Sequence, residues 1–319
     1  MDQIAMDSKC YNKVPPLVFI GGCPRSGTTM LKRMLDAHSE IFCGPEFGHI
    51  PSITQLYARM HQGIESGRIS AYADQAHLRE VFRNLLLEFF VPTLERNKKN
   101  IFAEKTPDNV MCFIMLHDLF PNAKFIHILR NPFDVVASYL RVGERKGDSA
   151  DGNFASAIAA AKHWRRQVNY PRRFPEVFSS DSFQKNYMEI KYEYIVSEPE
   201  AATREICGFL DIQFERGMLD LERSLKGDAT SFGGVFYTEQ EYVRAIDSSS
   251  INRWMEALSD EQIVNVLNET RNELVKFGYV SRSEVIRIVS KCKSDLGSQS
   301  KEAIKLIKRC LSLSIGRAR

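Results

Sequence analysis

Phe19-Ile20-Gly21-Gly22-Cys23-Pro24-Arg25-Ser26-Gly27-Thr28-Thr29 reads as a strand that runs into a glycine loop and then a helix. The apolar run Leu17 to Ile20 has the character of a buried strand, and Met30-Leu31-Lys32-Arg33-Met34-Leu35 that of the first helical turns. Such a junction gathers free backbone N–H groups and the positive end of a helix dipole around an anion, so it predicts a phosphate cradle. Gly22 and Gly27 keep the G-x4-G spacing of a P-loop, but Thr28 stands where a triphosphate-binding loop carries Lys. ATP and GTP phosphoryl transfer relies on that Lys, so the loop predicts a different phosphate-bearing donor.

Outward from the loop, short apolar runs alternate with helical patterns, the signature of a parallel sheet wrapped by helices. Strands are expected at 17–21, 100–104, 124–129 and 186–191, and helices at 26–37, 78–97, 107–119, 132–142, 152–177, 199–210 and 260–276. Ser259 and Gly278 bracket the last of these as N-cap and C-terminal stop. The fold class is therefore α/β, a three-layer α/β/α sandwich with its ligand across the strand C-termini. The irregular stretch 226–250 has Gly227, Gly233, Gly234 and three serines at its end, and is expected to be a lid over the site.

Four landmarks, in order, resemble one family. Pro24-Arg25-Ser26-Gly27-Thr28-Thr29 is similar to the 5′-phosphosulfate loop of sulfotransferases that use 3′-phosphoadenosine-5′-phosphosulfate (PAPS). The continuation Met34-Leu35-Asp36-Ala37-His38, and then Cys43-Gly44-Pro45-Glu46, resembles the tyrosylprotein sulfotransferases and their bacterial relatives. The run from Phe125 to Ser138, with Arg130 closing a strand and Ser138 eight residues on, resembles the family's 3′-phosphate element. Glu104-Lys105-Thr106-Pro107 and Tyr192-Glu193-Tyr194-Ile195-Val196 complete the set, and the resemblance spans roughly residues 15 to 280. It implies a sulfotransferase domain over 15–280, an N-terminal extension over 1–14 and a basic helical tail over 281–319.

The resemblance also assigns roles. Arg25, Ser26, Gly27, Thr28 and Thr29 would hold the 5′-phosphate, and Arg130 and Ser138 the 3′-phosphate. Tyr192 would lie near the cofactor. Ser250, Asn252 and Arg253, in the run Ser248 to Trp254, would form the C-terminal clamp, with Asn252 replacing the family's Ser. Arg25 and Lys105 would neutralise the leaving phosphate, and Glu46 would be the general base. His49, three residues on, is the rival base. No metal is needed.

One departure bears on the acceptor. The tyrosylprotein enzymes carry Thr-Arg after the catalytic Glu, and the Arg helps to bind an acidic peptide; here Phe47-Gly48 follows Glu46. A small hydroxylated or amino metabolite, or a glycan, is therefore expected in preference to peptide tyrosine. Phe47, Phe89, Phe90 and Tyr57 are candidates for an apolar acceptor pocket. The alternatives are peptide tyrosine sulfation and a P-loop nucleotide kinase or NTPase.

The whole chain sets wider bounds. It has 319 residues, 44% hydrophobic and 26% charged, with a net charge of +3, so no global field favours nucleic acid. The charge is uneven: 281–319 holds ten Lys/Arg against three Asp/Glu, a net +7, which leaves −4 for the first 280 residues. Seven scattered Cys without C-x-x-C pairs form neither a disulfide framework nor a zinc site. No apolar run is long enough to cross a membrane, and the N-terminus does not read as a signal peptide, so a cytoplasmic location is expected. In the tail, Ile304, Ile307, Leu311 and Ile315 recur at helical spacing beside Lys301, Lys305, Lys308 and Arg309. That helix is expected to dock on the domain, with contact to an anionic membrane surface as the alternative. A homodimer is left open.

Overall fold

The computed structural model describes residues 14–147, 152–221, 245–294 and 301–312. Five parallel strands, β1 (Leu17–Gly21), β2 (Ile41–Phe42), β3 (Ile101–Lys105), β4 (Lys124–Leu129) and β5 (Tyr187–Lys191), form one sheet in the order β2-β3-β1-β4-β5. β1 is central and pairs with β3 on one side (Ile20↔Lys105) and β4 on the other (Ile20↔Ile126). Its side chains alternate between two cores. Leu17 and Phe19 join Phe102 and Phe125 on one face, and Val18 and Ile20 join Ile126 and Ile128 on the other. A strand covered on both faces has no polar side to show, which is why it reads as an unbroken apolar run.

Helices fill both faces. α2 (Ile50–Glu65), α3 (Gln75–Asn97) and α4 (Phe113–Leu119) cover the Phe19 face through Tyr57, Leu86, Phe90 and Phe113. α1 (Thr28–Asp36) and the helix Pro199–Leu210 cover the Val18 face through Leu31, Leu35, Ile206 and Leu210. A third core joins α5 (Pro132–Lys146) and α6 (Ala157–Asn169) to the helix Asp260–Lys276, around Phe133, Trp164 and Trp254. The helix Lys301–Ser312 buries Ile304, Ile307 and Leu311 in that same core, and Lys308 Nζ donates to the Met255 carbonyl at 2.9 Å. Ile315 lies outside the described residues.

The four expected strands lie within one residue of those observed. The differences are local. β2, only two residues long, has no readable period, and α2 is not among the expected helices. The 107–119 stretch divides at Cys112 into a 3-10 turn, Pro107–Met111, and α4. The 152–177 stretch breaks where Pro171 starts a new turn after Asn169, because Pro lacks the N–H that a continuing helix needs. Most of the expected lid, its residues 226–244, lies outside the described residues.

Candidate active site

The turn after β1 is held from beneath: Gly22 N donates to the Pro107 carbonyl at 2.9 Å, and Ser26 N to the Cys23 carbonyl at 3.0 Å. Arg25 (φ 72°) and Gly27 (φ 97°) bend the chain so that α1 starts at Thr28 with no side-chain cap on its first turn. An uncapped N-terminus leaves donors pointing outward. Among the described residues, five arginines line the pocket this creates, Arg25, Arg33, Arg130, Arg141 and Arg253, against one carboxylate, Asp134.

β4 and α5 supply the opposite wall. Arg130 stacks over the Tyr192 ring, 4.2 Å to its centroid, and donates from Nη1 to the Arg25 carbonyl (3.0 Å) and from Nη2 to the Ser250 carbonyl (2.6 Å). Trp164 Nε1 donates to the Arg130 carbonyl at 3.0 Å, fixing the strand end from behind. Arg25 Nε donates to Ser138 Oγ at 2.9 Å, linking the loop to α5. Asp134 receives the Asn252 N–H at 2.9 Å and the Trp254 N–H at 3.3 Å, pinning the 250–254 segment over the pocket. Burial raises the Asp134 pKa, while Arg130 and these N–H groups oppose the shift.

Lys105 closes β3 beside the pocket. It is buried, paired with Glu46, and its Nζ lies 3.4 Å from Thr29 Oγ1. Glu104, pointing the other way, is also buried. It accepts from Phe47 N (3.0 Å), from Thr106 Oγ1 (2.8 Å) and from the Asn109 amide, and burial raises its pKa. Thr106 Oγ1 in turn accepts from Gly48 N at 3.2 Å. The loop bearing Glu46 is therefore anchored on both residues after it.

The residues singled out in the sequence fall into two groups. Arg25, Gly27, Thr29, Arg130, Ser138, Tyr192, Ser250 and Arg253 line the arginine pocket, with Lys105 and Glu46 at its edge. Ser26 and Thr28 are buried beneath the loop, and the Ser26 hydroxyl has no partner among the described residues. Asn252 (φ 62°) reaches Asp134 through its backbone N–H and is not among the lining residues. His49 ends the loop before α2, exposed and edge-on to Phe47. Tyr57 is buried in the core and bonded to Asp118, so it lines no acceptor pocket. Arg33, Asp134 and Arg141 line the pocket without having been expected there. Two had a readable signal: Arg33 lies four residues after Thr29, and Arg141 three after Ser138, each on the same helical face.

The comparisons with known proteins fit this site. Residues 16–216 match the profile of the Sulfotransferase family. The chain belongs to that family. Among its relatives, protein-tyrosine sulfotransferase A of Caenorhabditis elegans is 28% identical over 272 residues, 84% of this chain and 68% of the relative. Human protein-tyrosine sulfotransferase 1 is 27% identical over 88% of this chain and 74% of the relative, and the Drosophila melanogaster enzyme 27% identical over 77% and 48%. The fold matches the sulfotransferase domain from the curacin biosynthetic pathway (TM-score 0.55, 20% identity, 82% of this chain and 98% of that one). It also matches that from the Synechococcus PCC 7002 olefin synthase (TM-score 0.51, 20% identity, 82% and 97%). This sulfotransferase has no helix, among the described residues, long and apolar enough to cross a membrane.

Proposed function

We propose that this sulfotransferase moves a sulfuryl group from PAPS to an aryl hydroxyl, that of a protein tyrosine. The observation that carries the reading is the position of Lys105: one buried ammonium touches the Glu46 carboxylate and lies beside Thr29, at the start of the helix that faces five arginines. The pocket fits the donor. Arg130 Nε and Ser26 Oγ are buried without partners among the described residues. Bound there, PAPS supplies the sulfuryl group and a phosphate leaving group.

Arg25, Thr29 and the first-turn N–H groups of α1 suit the 5′-phosphosulfate, and Arg130 with Ser138 the 3′-phosphate. Lys105 and Arg25 would balance negative charge as it builds on the bridging oxygen. Glu46 would take the proton of the hydroxyl as its oxygen bonds to sulfur. The Phe47-Gly48 departure spoke for a small metabolite or glycan. The tyrosyl acceptor is better supported, because relatives covering most of the chain are named for protein tyrosine.

Calorimetric titration with adenosine 3′,5′-bisphosphate, adenosine 5′-phosphate and Mg-ATP tests the donor half. The bisphosphate alone should bind tightly, and Arg130→Ala should weaken it about 10–100-fold, the loss of one or two charge-assisted bonds. Equal binding with and without the 3′-phosphate would sink the reading. Transfer of labelled sulfate from PAPS to a tyrosyl peptide tests the acceptor half.

A further inference from the structure

A second cavity opens on the other side of Glu46. The loop 44–47 forms one wall with Pro45, Glu46 and Phe47, and α3 forms the other with Phe89, Phe90 and Pro92. We infer that this groove is the acceptor subsite, and that it selects a tyrosyl ring flanked by apolar rather than acidic residues; the inference rests on the aryl-acceptor reading above.

Three observations carry it. The first is the bridge. Glu46 lines this groove and Thr29 lines the arginine pocket, and Lys105 touches Glu46 while lying 3.4 Å from Thr29. A hydroxyl brought to Glu46 from the groove would therefore lie one ammonium away from a residue that lines the donor pocket.

The second is the surface. Phe47 packs on Phe89 (centroids 5.3 Å apart) and edge-on to Phe90 (6.2 Å), yet Phe89 remains 49% exposed. Val81 and Leu85, exposed at four-residue intervals before it, extend an apolar stripe along α3 into the groove. Exposed apolar residues in such register suit an apolar segment of an acceptor on either side of its ring.

The third is charge. Lys105 pairs Glu46, and Glu104 is buried, so among the described lining residues the exposed Glu88 is set against Arg96, which also donates to Thr93 Oγ1 at 3.1 Å. The groove therefore has no excess of positive charge to hold an acidic flank.

The test uses the full chain and two tyrosyl peptides of equal length, one with leucines beside the tyrosine and one with glutamates. Rates are measured at saturating PAPS, with bisphosphate affinity as the donor-side control. The leucine peptide should show a kcat/KM at least tenfold higher. Phe89→Ala should raise KM for it about tenfold, with kcat and bisphosphate affinity within twofold of wild type. Glu88→Lys, also at an exposed position, should narrow the gap between the peptides several-fold. Equal or better use of the glutamate peptide, or an unchanged KM in Phe89→Ala, would overturn the inference while leaving the tyrosyl reading intact. Tight bisphosphate binding with neither peptide sulfated would overturn the tyrosyl reading, and this inference with it.

Discussion

The Tyr192 ring occupies the space that a side chain at residue 27 would need: a Cβ on Gly27 would fall 2.4 Å from Tyr192 Cδ2. The same ring carries Arg130 on its face. One aromatic thus sets both the tightness of the loop and the height of the arginine above it. Gly27→Ala must displace the ring and also hold φ near 97°, which costs on the order of 1–3 kcal/mol. The expected outcome is a drop in the urea midpoint together with at least a tenfold loss of bisphosphate affinity. Calorimetry showing wild-type affinity in a folded variant would separate ring position from binding.

Lys105 and Glu46 should act as a pair. Lys105→Ala is expected to lower kcat about 10²–10³-fold and Glu46→Gln about 10²–10⁴-fold, with bisphosphate affinity little changed. Because the two touch, the double variant should fall well short of the product of the single effects. Multiplicative losses in steady-state assays would mean that they act independently.

Glu104 acts through the loop and not on substrate. Its oxygens accept from Phe47 N, Thr106 Oγ1 and the Asn109 amide, so Glu104→Gln sets one donor against donors. The expectation is a stability loss of about 1–3 kcal/mol and a raised KM for the acceptor, with donor affinity unaffected. Paired denaturation and two-substrate kinetics read both effects.

His127 predicts an acid limb in stability. Tyr187 donates its hydroxyl to Glu189 at 2.7 Å, so at 2.7 Å from that oxygen His127 Nδ1 must be the donor, and Nε2 is buried without a partner among the described residues. Burial lowers its pKa from 6.5 to about 4. A depressed pKa gives stability that is complete above 6.5 and is lost as pH falls towards 4, on the order of 3 kcal/mol in all. Asp134, Glu104 and Glu193, whose pKa values burial raises, act in the opposite sense. The comparison is therefore with His127→Gln, whose urea midpoint should fall less between pH 7 and pH 5 than that of wild type.

Much of the donor side was legible because it is local: a strand, a turn and a helix start within about a dozen residues fix the loop, and Arg130 and Ser138 sit at fixed offsets on the next such unit. What the sequence concealed depends on packing between distant segments. Arg33 reads by itself as a solvated helical charge, whereas in the fold it is buried, donates to the Leu221 carbonyl and walls the pocket. β2 exists because Ile41 and Phe42 find Ile101 and Phe102 beside them, a pairing no two-residue period announces. Tyr57 stood with Phe47, Phe89 and Phe90 as a candidate pocket aromatic; its hydroxyl goes instead to Asp118 on α4.

The helix Lys301–Ser312 has a bearing on how this chain can be handled. It rests Ile307 and Leu311 in the core that holds Trp254, and Lys308 grips the carbonyl of Met255, two residues from the pocket arginine Arg253. Cut away, it would leave an oily scar on α5's neighbourhood and slacken the strap that Asp134 fastens. That helix thus works as a splint for the nucleotide clamp, and a trimmed version stopping near residue 280 would surrender grip on its donor before losing its fold.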